Sequence, residues 1–297
     1  MPKDRNLIVP QDAKGKRLDK FLDGEIEDVS RTKLGIFIEK GMVLVSGKRK
    51  KPGYHLKGGE KISVKIEEEK KELKPFNFKV KIIYEDKDII VVDKPVGLTT
   101  HPPQPGYNET LVNALLYMKK DLAPTSDIRP GVVHRLDKET SGVMVLAKNQ
   151  ASFDDLVKQF KERAIKKEYQ AICWDTIKKD HLNIDLPVAR DTKNRLKMKV
   201  SFLKAKQALT KVDVLKRFSD STLLVLKLVT GRMHQIRVHM KFLGYPLVGD
   251  KKYGKKDKYE ELFLHAHKLG LVHPVTKKSM EFTSPIPKRF KDFIKGH

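Results

Sequence analysis

Gly131 to Lys148 reads GVVHRLDKETSGVMVLAK. Two apolar runs, Val132-Val133 and Val143 to Ala147, bracket a polar centre from His134 to Gly142. Val143-Met144-Val145-Leu146 reads as a buried strand. The polar residues before it then form a loop held against a rigid sheet, where functional groups are often placed. By residue type alone the same loop also reads as an ordinary Asp-Lys turn entering a strand, because turns are polar for local reasons.

The bulk of the chain narrows the choice. At 297 residues it is long enough for two domains and a sizeable core. Lys and Arg number 62 against 38 Asp and Glu, a formal charge of +24. That excess points to a polyanionic partner, nucleic acid first and an anionic membrane second. No apolar run approaches the ~20 residues of a membrane span and the N-terminus has no signal-peptide pattern, so a soluble cytoplasmic protein, expected as a monomer, is the reading. The single cysteine, Cys173, excludes an internal disulfide and a multi-cysteine zinc site.

Along the chain, Leu18, Phe21 and Leu22 fall at helical spacing. A second helix is predicted over Arg31 to Lys40, with Ser30 as N-cap and Gly41 as its stop. Met42 to Val45, a Ser46-Gly47 turn, the basic run Lys48-Arg49-Lys50-Lys51 and Ile62 to Val64 complete a small α/β unit. Glu67 to Pro75 reads as a charged linker. Val80 to Tyr84 and Ile89 to Val92 are strands around an Asp86-Lys87-Asp88 turn. Ser152 with Asp155 looks like a capping box opening a helix. Lys167 to Ile172 and Leu223 to Val229 are strands. The second leads through Thr230-Gly231-Arg232 into a helix containing His234 to Met240, stopped by Gly244. The segment from Asp175 to Leu203 is hairpin-like and basic, a candidate RNA contact.

The string His-Arg-Leu-Asp-x-x-Thr-Ser-Gly resembles the signature of the RluA-type RNA pseudouridine synthases. The likeness extends in order from about residue 80: Lys94-Pro95-x-Gly97-Leu98 and His101-Pro102, Lys167-x-Tyr169-x-Ala171, and Gly231-Arg232-x-His234-Gln235-x-Arg237-x-His239. Residues 30–62 resemble an S-four-like RNA-binding domain through Ser30-Arg31-x-Lys33, Val43-x-Val45-x-Gly47-Lys48 and Gly58-Gly59-Glu60-x-Ile62. The resemblance implies an α+β catalytic domain, residues 75–297, with a curved, mainly antiparallel sheet. It also implies an N-terminal RNA-binding domain plus linker, residues 1–74.

By the same resemblance, Asp137 is the essential catalytic residue, Arg237 lies against it, and Tyr169 faces the target base. Arg135 fills the gap left by a flipped nucleotide or contacts phosphate. Arg31, Lys33, Lys48, Arg49 and Lys50 would bind RNA, ribosomal RNA being favoured and transfer RNA possible. The isomerisation neither oxidises nor hydrolyses, so no cofactor and no metal are expected. His265 and His267 alternate on a strand, but no third ligand shares their segment. Asp137 and Glu139 stand too close on one loop for the opposed carboxylates of a glycosidase. A non-catalytic RNA-binding or ribosome-assembly protein remains the rival from another class. It would not need Asp137, Tyr169 and Arg237 together.

Overall fold

The computed structural model describes residues 4–26, 29, 31–65, 73–104, 106–125 and 128–297. Ser30, most of the Glu67–Pro75 linker and Pro105 lie outside them. The chain divides into two compact units, residues 1–70 and 71–297.

In the first unit the order is β1 (Arg5–Ile8), α1 (Leu18–Glu25), α2 (Arg31–Glu39), β2 (Val43–Val45), β3 (Lys48–Arg49) and β4 (Lys61–Val64). The strands form an antiparallel sheet in the order β1-β4-β2-β3. Leu18, Leu22, Leu34 and Ile38 from the helices meet Val43, Val45, Ile62 and Val64 from the sheet in one core. The helical residues recur at i+4 and the strand residues at i+2, the two periods that place side chains on one face. Lys48 and Arg49 are exposed on β3.

The second unit contains β5 (Lys81–Glu85), β6 (Ile89–Lys94), α3 (Leu111–Tyr117), β7 (Ser141–Ala147), α4 (Gln150–Lys161), β8 (Lys166–Trp174) and β9 (His181–Asp185). It continues with β10 (Val188–Arg190), β11 (Met198–Val200), β12 (Leu209–Arg217), β13 (Ser221–Leu228), α5 (Gln235–Phe242), β14 (Leu264–Val272), β15 (Ser279–Thr283) and α6 (Lys288–Gly296). A nine-stranded sheet runs β5-β6-β7-β14-β8-β13-β12-β9, with β15 paired to β14. Only the β7–β14 pairing is parallel among its ladders. Register shifts in β5, β12 and β14 bend the strands that carry them. The expected α+β class and mainly antiparallel sheet are thus present. Strands β10 and β11 form a separate hairpin.

β7 is buried at every residue, which is why Val143 to Ala147 is an unbroken apolar run. Its second residue, Gly142, has φ +122°, and a Cβ there would stand 2.1 Å from the Ala266 carbonyl oxygen. Only glycine lets β7 approach β14 at the end where the polar loop enters. The helix after β7 is capped three residues before the expected position. Asn149, not Ser152, accepts a backbone N–H, that of Ser152, and opens α4. Asn149 satisfies an orphan amide as well as a serine would, and it leaves the Ser152 side chain buried inside the first turn. Helix α5 is pinned by Ile236 and Met240, both in the main core. Each such burial contributes roughly 1.5–3 kcal/mol. Among the described residues no helix is long and apolar enough to cross a membrane.

Candidate active site

The loop before β7 is clamped from two sides. Thr100 donates its hydroxyl to the Leu136 carbonyl at 3.0 Å. The Lys138 carbonyl accepts the Gly97 N–H at 2.8 Å and the Lys94 ammonium at 3.4 Å. Lys94 is fully buried and also donates to the carbonyls of Leu98 and Pro95, at 2.8 and 3.0 Å. Burial pushes its pKa down to about 7, against the opposing pull of Asp137 and Glu139. The segment from Lys94 to Thr100 thus grips the carbonyl groups on both sides of Asp137 and fixes where its side chain emerges.

That side chain faces α5. Asp137 Oδ2 is 3.6 Å from Arg237 Nη1 and 3.9 Å from His234 Nε2. Both distances exceed a hydrogen bond, so the contacts are electrostatic in this state. Arg237 is held elsewhere. Its Nε and Nη2 donate to the two oxygens of Asp250 at 2.8 and 2.7 Å, a buried two-point pair. Its Nη1 donates to Glu139 at 3.2 Å. Burial alone would lower the pKa of Arg237, but Asp250, then Asp137 and Glu139, hold it above its ordinary value. The guanidinium is therefore a fixed positive charge beside Asp137.

A cavity of about 140 Å³ opens over these groups. Arg135, Asp137, Tyr169, His234, Arg237 and Leu228 are among its walls. Tyr169 is buried on β8, and burial, with the Asp137 charge adding to it, pushes its hydroxyl pKa up. It stays a neutral phenol with its ring as an apolar wall. The three residues expected at the catalytic centre, Asp137, Tyr169 and Arg237, therefore line one cavity, with Arg135 at its exposed edge.

The sequence profile of the family described as "RNA pseudouridylate synthase" matches residues 88–242, the segment that holds all four. The chain belongs to this family. A protein of Aquifex aeolicus named "Uncharacterized RNA pseudouridine synthase" is 44% identical over 93% of this chain and 92% of its own length. The "Ribosomal large subunit pseudouridine synthase D" of Neisseria meningitidis serogroup A is 39% identical over 95% of this chain and 78% of its own. The solved structure of "Human RNA Pseudouridylate Synthase Domain Containing 1" superposes with a TM-score of 0.59 at 28% identity, covering 70% of this chain and 84% of that one. Family membership makes the chain an isomerase, and the α+β sheet is the pseudouridine synthase fold.

Several members of the site were not legible in this pseudouridine synthase's sequence. Asp250 is the closest partner of Arg237, whereas sequence reasoning paired Arg237 with Asp137 alone. His234 was expected inside the helix; it is the left-handed residue before α5, with φ 55°. Glu139 and Asp137 reach the same guanidinium nitrogen, but Asp137 lines the cavity and Glu139 a neighbouring cleft. His134 of the signature faces away. Its Nε2 accepts the Val145 N–H at 3.1 Å and its ring stacks on Phe160. Burial, with Lys167 nearby, pushes its pKa down to about 3.

The other tempting groups are engaged in structure. His267 Nδ1 lies 2.8 Å from the Ser284 carbonyl, and His265 Nδ1 3.0 Å from the Ser141 hydroxyl. Asp86, Asp88 and His273 cluster closely enough to suggest a metal. Yet Asp86 accepts the N–H groups of Asp88 and Ile89, the Tyr84 hydroxyl and His273 Nε2, while His273 Nδ1 accepts two amides. A ring with Nδ1 accepting and Nε2 donating has no lone pair left for a metal. In the first unit, Arg31 is partly engaged. Its Nε and Nη2 donate to Asp19 at 3.2 and 2.7 Å, so part of its fork is already spent. Asp19 is pushed down to about 2 by Arg17, with Arg31 also contributing. Lys33 and Lys50 lie over the rings of Phe37 and Tyr54.

Proposed function

We propose that this pseudouridine synthase acts on large-subunit ribosomal RNA, with Asp137 as the carboxylate that works at the anomeric carbon of the target uridine. The observation that carries the assignment of Asp137 is its place in the cavity, beside a fixed arginine and facing a buried tyrosine. The isomerisation breaks the bond from ribose C1′ to uracil N1, turns the base, joins C1′ to C5, and releases the C5 proton to water while N1 takes one up. A carboxylate serves it by attacking C1′, or by stabilising the positive charge there and removing a ribose proton. Arg237, held by Asp250, orients that carboxylate. Tyr169 offers a flat apolar wall to a base that must leave the helix. Arg135, at the exposed edge of the cavity, is placed to fill the gap or to meet the flanking phosphate.

The RNA reading has two further supports. A second cleft, of about 560 Å³, is also lined by Arg237 and carries Lys138, Lys197, Lys251 and Lys252 as well as Glu139, Glu260 and Glu261. Residues 1–70 present Lys48 and Arg49 on an exposed strand, which suits phosphates and the S-four-like reading of this unit. Large-subunit RNA is favoured over transfer RNA because curated relatives of 36–39% identity carry large-subunit names.

The test is to map pseudouridines in ribosomal and transfer RNA from cells with and without the chain. Sites lost from large-subunit RNA alone are expected. Loss confined to transfer RNA would reassign the substrate. In vitro, reversing Lys48, Arg49 and Lys50 together to Glu should weaken RNA binding and flatten its salt dependence. Unchanged slopes would remove the first unit from RNA binding.

A further inference from the structure

His234 is tied on one edge of its ring and faces the Asp137 carboxylate with the other. Its backbone is left-handed, φ 55° and ψ 19°, a conformation that a non-glycine residue keeps only where its surroundings over-determine it. The side chain does not cap the helix. Instead Nδ1 lies 2.7 Å from the Tyr253 hydroxyl. That hydroxyl already accepts the backbone N–H of Met198 at 2.7 Å. A phenol has one proton, and with an amide donating to its oxygen the proton is left for Nδ1. Burial raises the pKa of Tyr253, which keeps that proton in place. A neutral His234 then carries its own proton on Nε2, the nitrogen that faces Asp137 Oδ2.

Tyr253 is itself anchored. Its N–H donates to Asp250 Oδ1 at 3.0 Å, and its ring lies 5.3 Å from the Arg237 guanidinium carbon. One turn, Asp250 to Tyr253, thus holds both groups that face Asp137: Arg237 through a carboxylate and His234 through a phenol.

We propose that His234 is a positioning residue for Asp137, its Nε2–H held in that tautomer by Tyr253 and closing onto Oδ2 when RNA fills the cavity. The proposal rests on the reading of Asp137 given above. The 3.9 Å gap is too long for a hydrogen bond here, and such contacts shorten when substrate is bound. With Arg237 on the same oxygen, Oδ1 is left to act on the ribose. Burial lowers the pKa of His234; Asp137 and Glu139 oppose it, and Arg237 and Lys252 add to it. Lys197, 5.9 Å from the Tyr253 ring, and Arg135 and Arg232, which line the same cavity, are further charges near it.

The test uses the full chain, RNA tritiated at uridine C5, and single-turnover tritium release from about pH 5 to about pH 8.5, a window that reaches below the ordinary histidine range because burial lowers His234. A parent that releases no tritium overturns the functional reading, and this inference with it. In Tyr253→Phe the neutral ring is free to turn a lone pair toward Asp137, whereas a protonated ring always presents Nε2–H. The Phe variant should therefore fall about tenfold or more below the parent near pH 8, and recover as the pH drops, with RNA affinity unchanged. The parent should show no such recovery. His234→Gln retains an amide N–H of similar reach and should keep more rate than His234→Leu. A Phe variant at the parental rate throughout overturns the proposal. An equal loss at every pH also overturns it, as does a Gln variant no better than Leu, since a packing role alone predicts those results.

Discussion

Replacing Asp250 with Asn removes one charge and almost no volume, at a position where the side chain is fully buried and its partner Arg237 nearly so. Asp250 Oδ1 accepts Arg237 Nη2 and the N–H groups of Lys252 and Tyr253, while Oδ2 accepts Arg237 Nε. Asn can keep the first three bonds only by turning its NH₂ toward Nε, donor against donor. Breaking one side of a buried pair costs about 3–5 kcal/mol, because the other charge is left without an answer. Arg237 still has Glu139 at 3.2 Å, but that carboxylate is 41% exposed and recovers only part. About 3 kcal/mol is therefore expected, or roughly 6–12 °C in Tm for a unit of this size. Trp174, the only tryptophan in the chain, is in β8, so its fluorescence follows this unit alone. The decisive comparison is among Arg237→Met, Asp250→Leu and the double variant Arg237→Met/Asp250→Leu. The double variant removes both charges and should be more stable than either single, with a coupling of at least about 2 kcal/mol. Additive losses, or an Asn variant within about 1 kcal/mol of the parent, would refute the view that a buried pair anchors this arginine.

Two further outcomes follow from the same geometry. Arg237→Lys should retain RNA affinity but lose at least about tenfold in rate, since an ammonium cannot hold Asp250 at two points and still face Asp137; single-turnover kinetics at saturating RNA measure it, and normal turnover would argue against a geometric role. Lys94 has a folded pKa of about 7, below the ~10.4 of an unfolded lysine, so between those values the unfolded chain binds the extra proton and stability rises with pH. The parent should therefore gain about 1 kcal/mol per pH unit relative to Lys94→Met from about pH 7 to pH 9, read by urea denaturation; parallel pH profiles would show that Lys94 is charged in the fold.

Much of this was readable in the chain because the informative residues are close in sequence. The run from His134 to Ala147 declares a polar loop entering a buried strand, and Asp137, Tyr169 and Arg237 each carry a local motif. What the sequence hid depends on distance or on unpaired counting. Strand β7 pairs with β14 through Ser141 and His265, more than a hundred residues apart, and nothing local announces it. Asp250 looked like one more acidic residue among 38. Its burial was the missing fact, and the only signal was its place after the apolar Leu247-Val248 and before Tyr253-Gly254. The helix cap moved from Ser152 to Asn149 because either residue type can accept the amide, and packing made the choice. His134 was expected within a functional loop, yet its ring accepts the Val145 amide of β7 instead.

The central claim is that one carboxylate, Asp137, performs the isomerisation. Asp137→Asn preserves shape and removes the charge that faces Arg237 and His234. The measurement is tritium release from C5-labelled uridine in large-subunit RNA, with free uracil and chain cleavage monitored alongside. Asn should fold, bind RNA like the parent and release no tritium, a loss of several orders of magnitude, while Glu139→Gln stays active. Pseudouridine formation by the Asn variant at the parental rate would contradict the account.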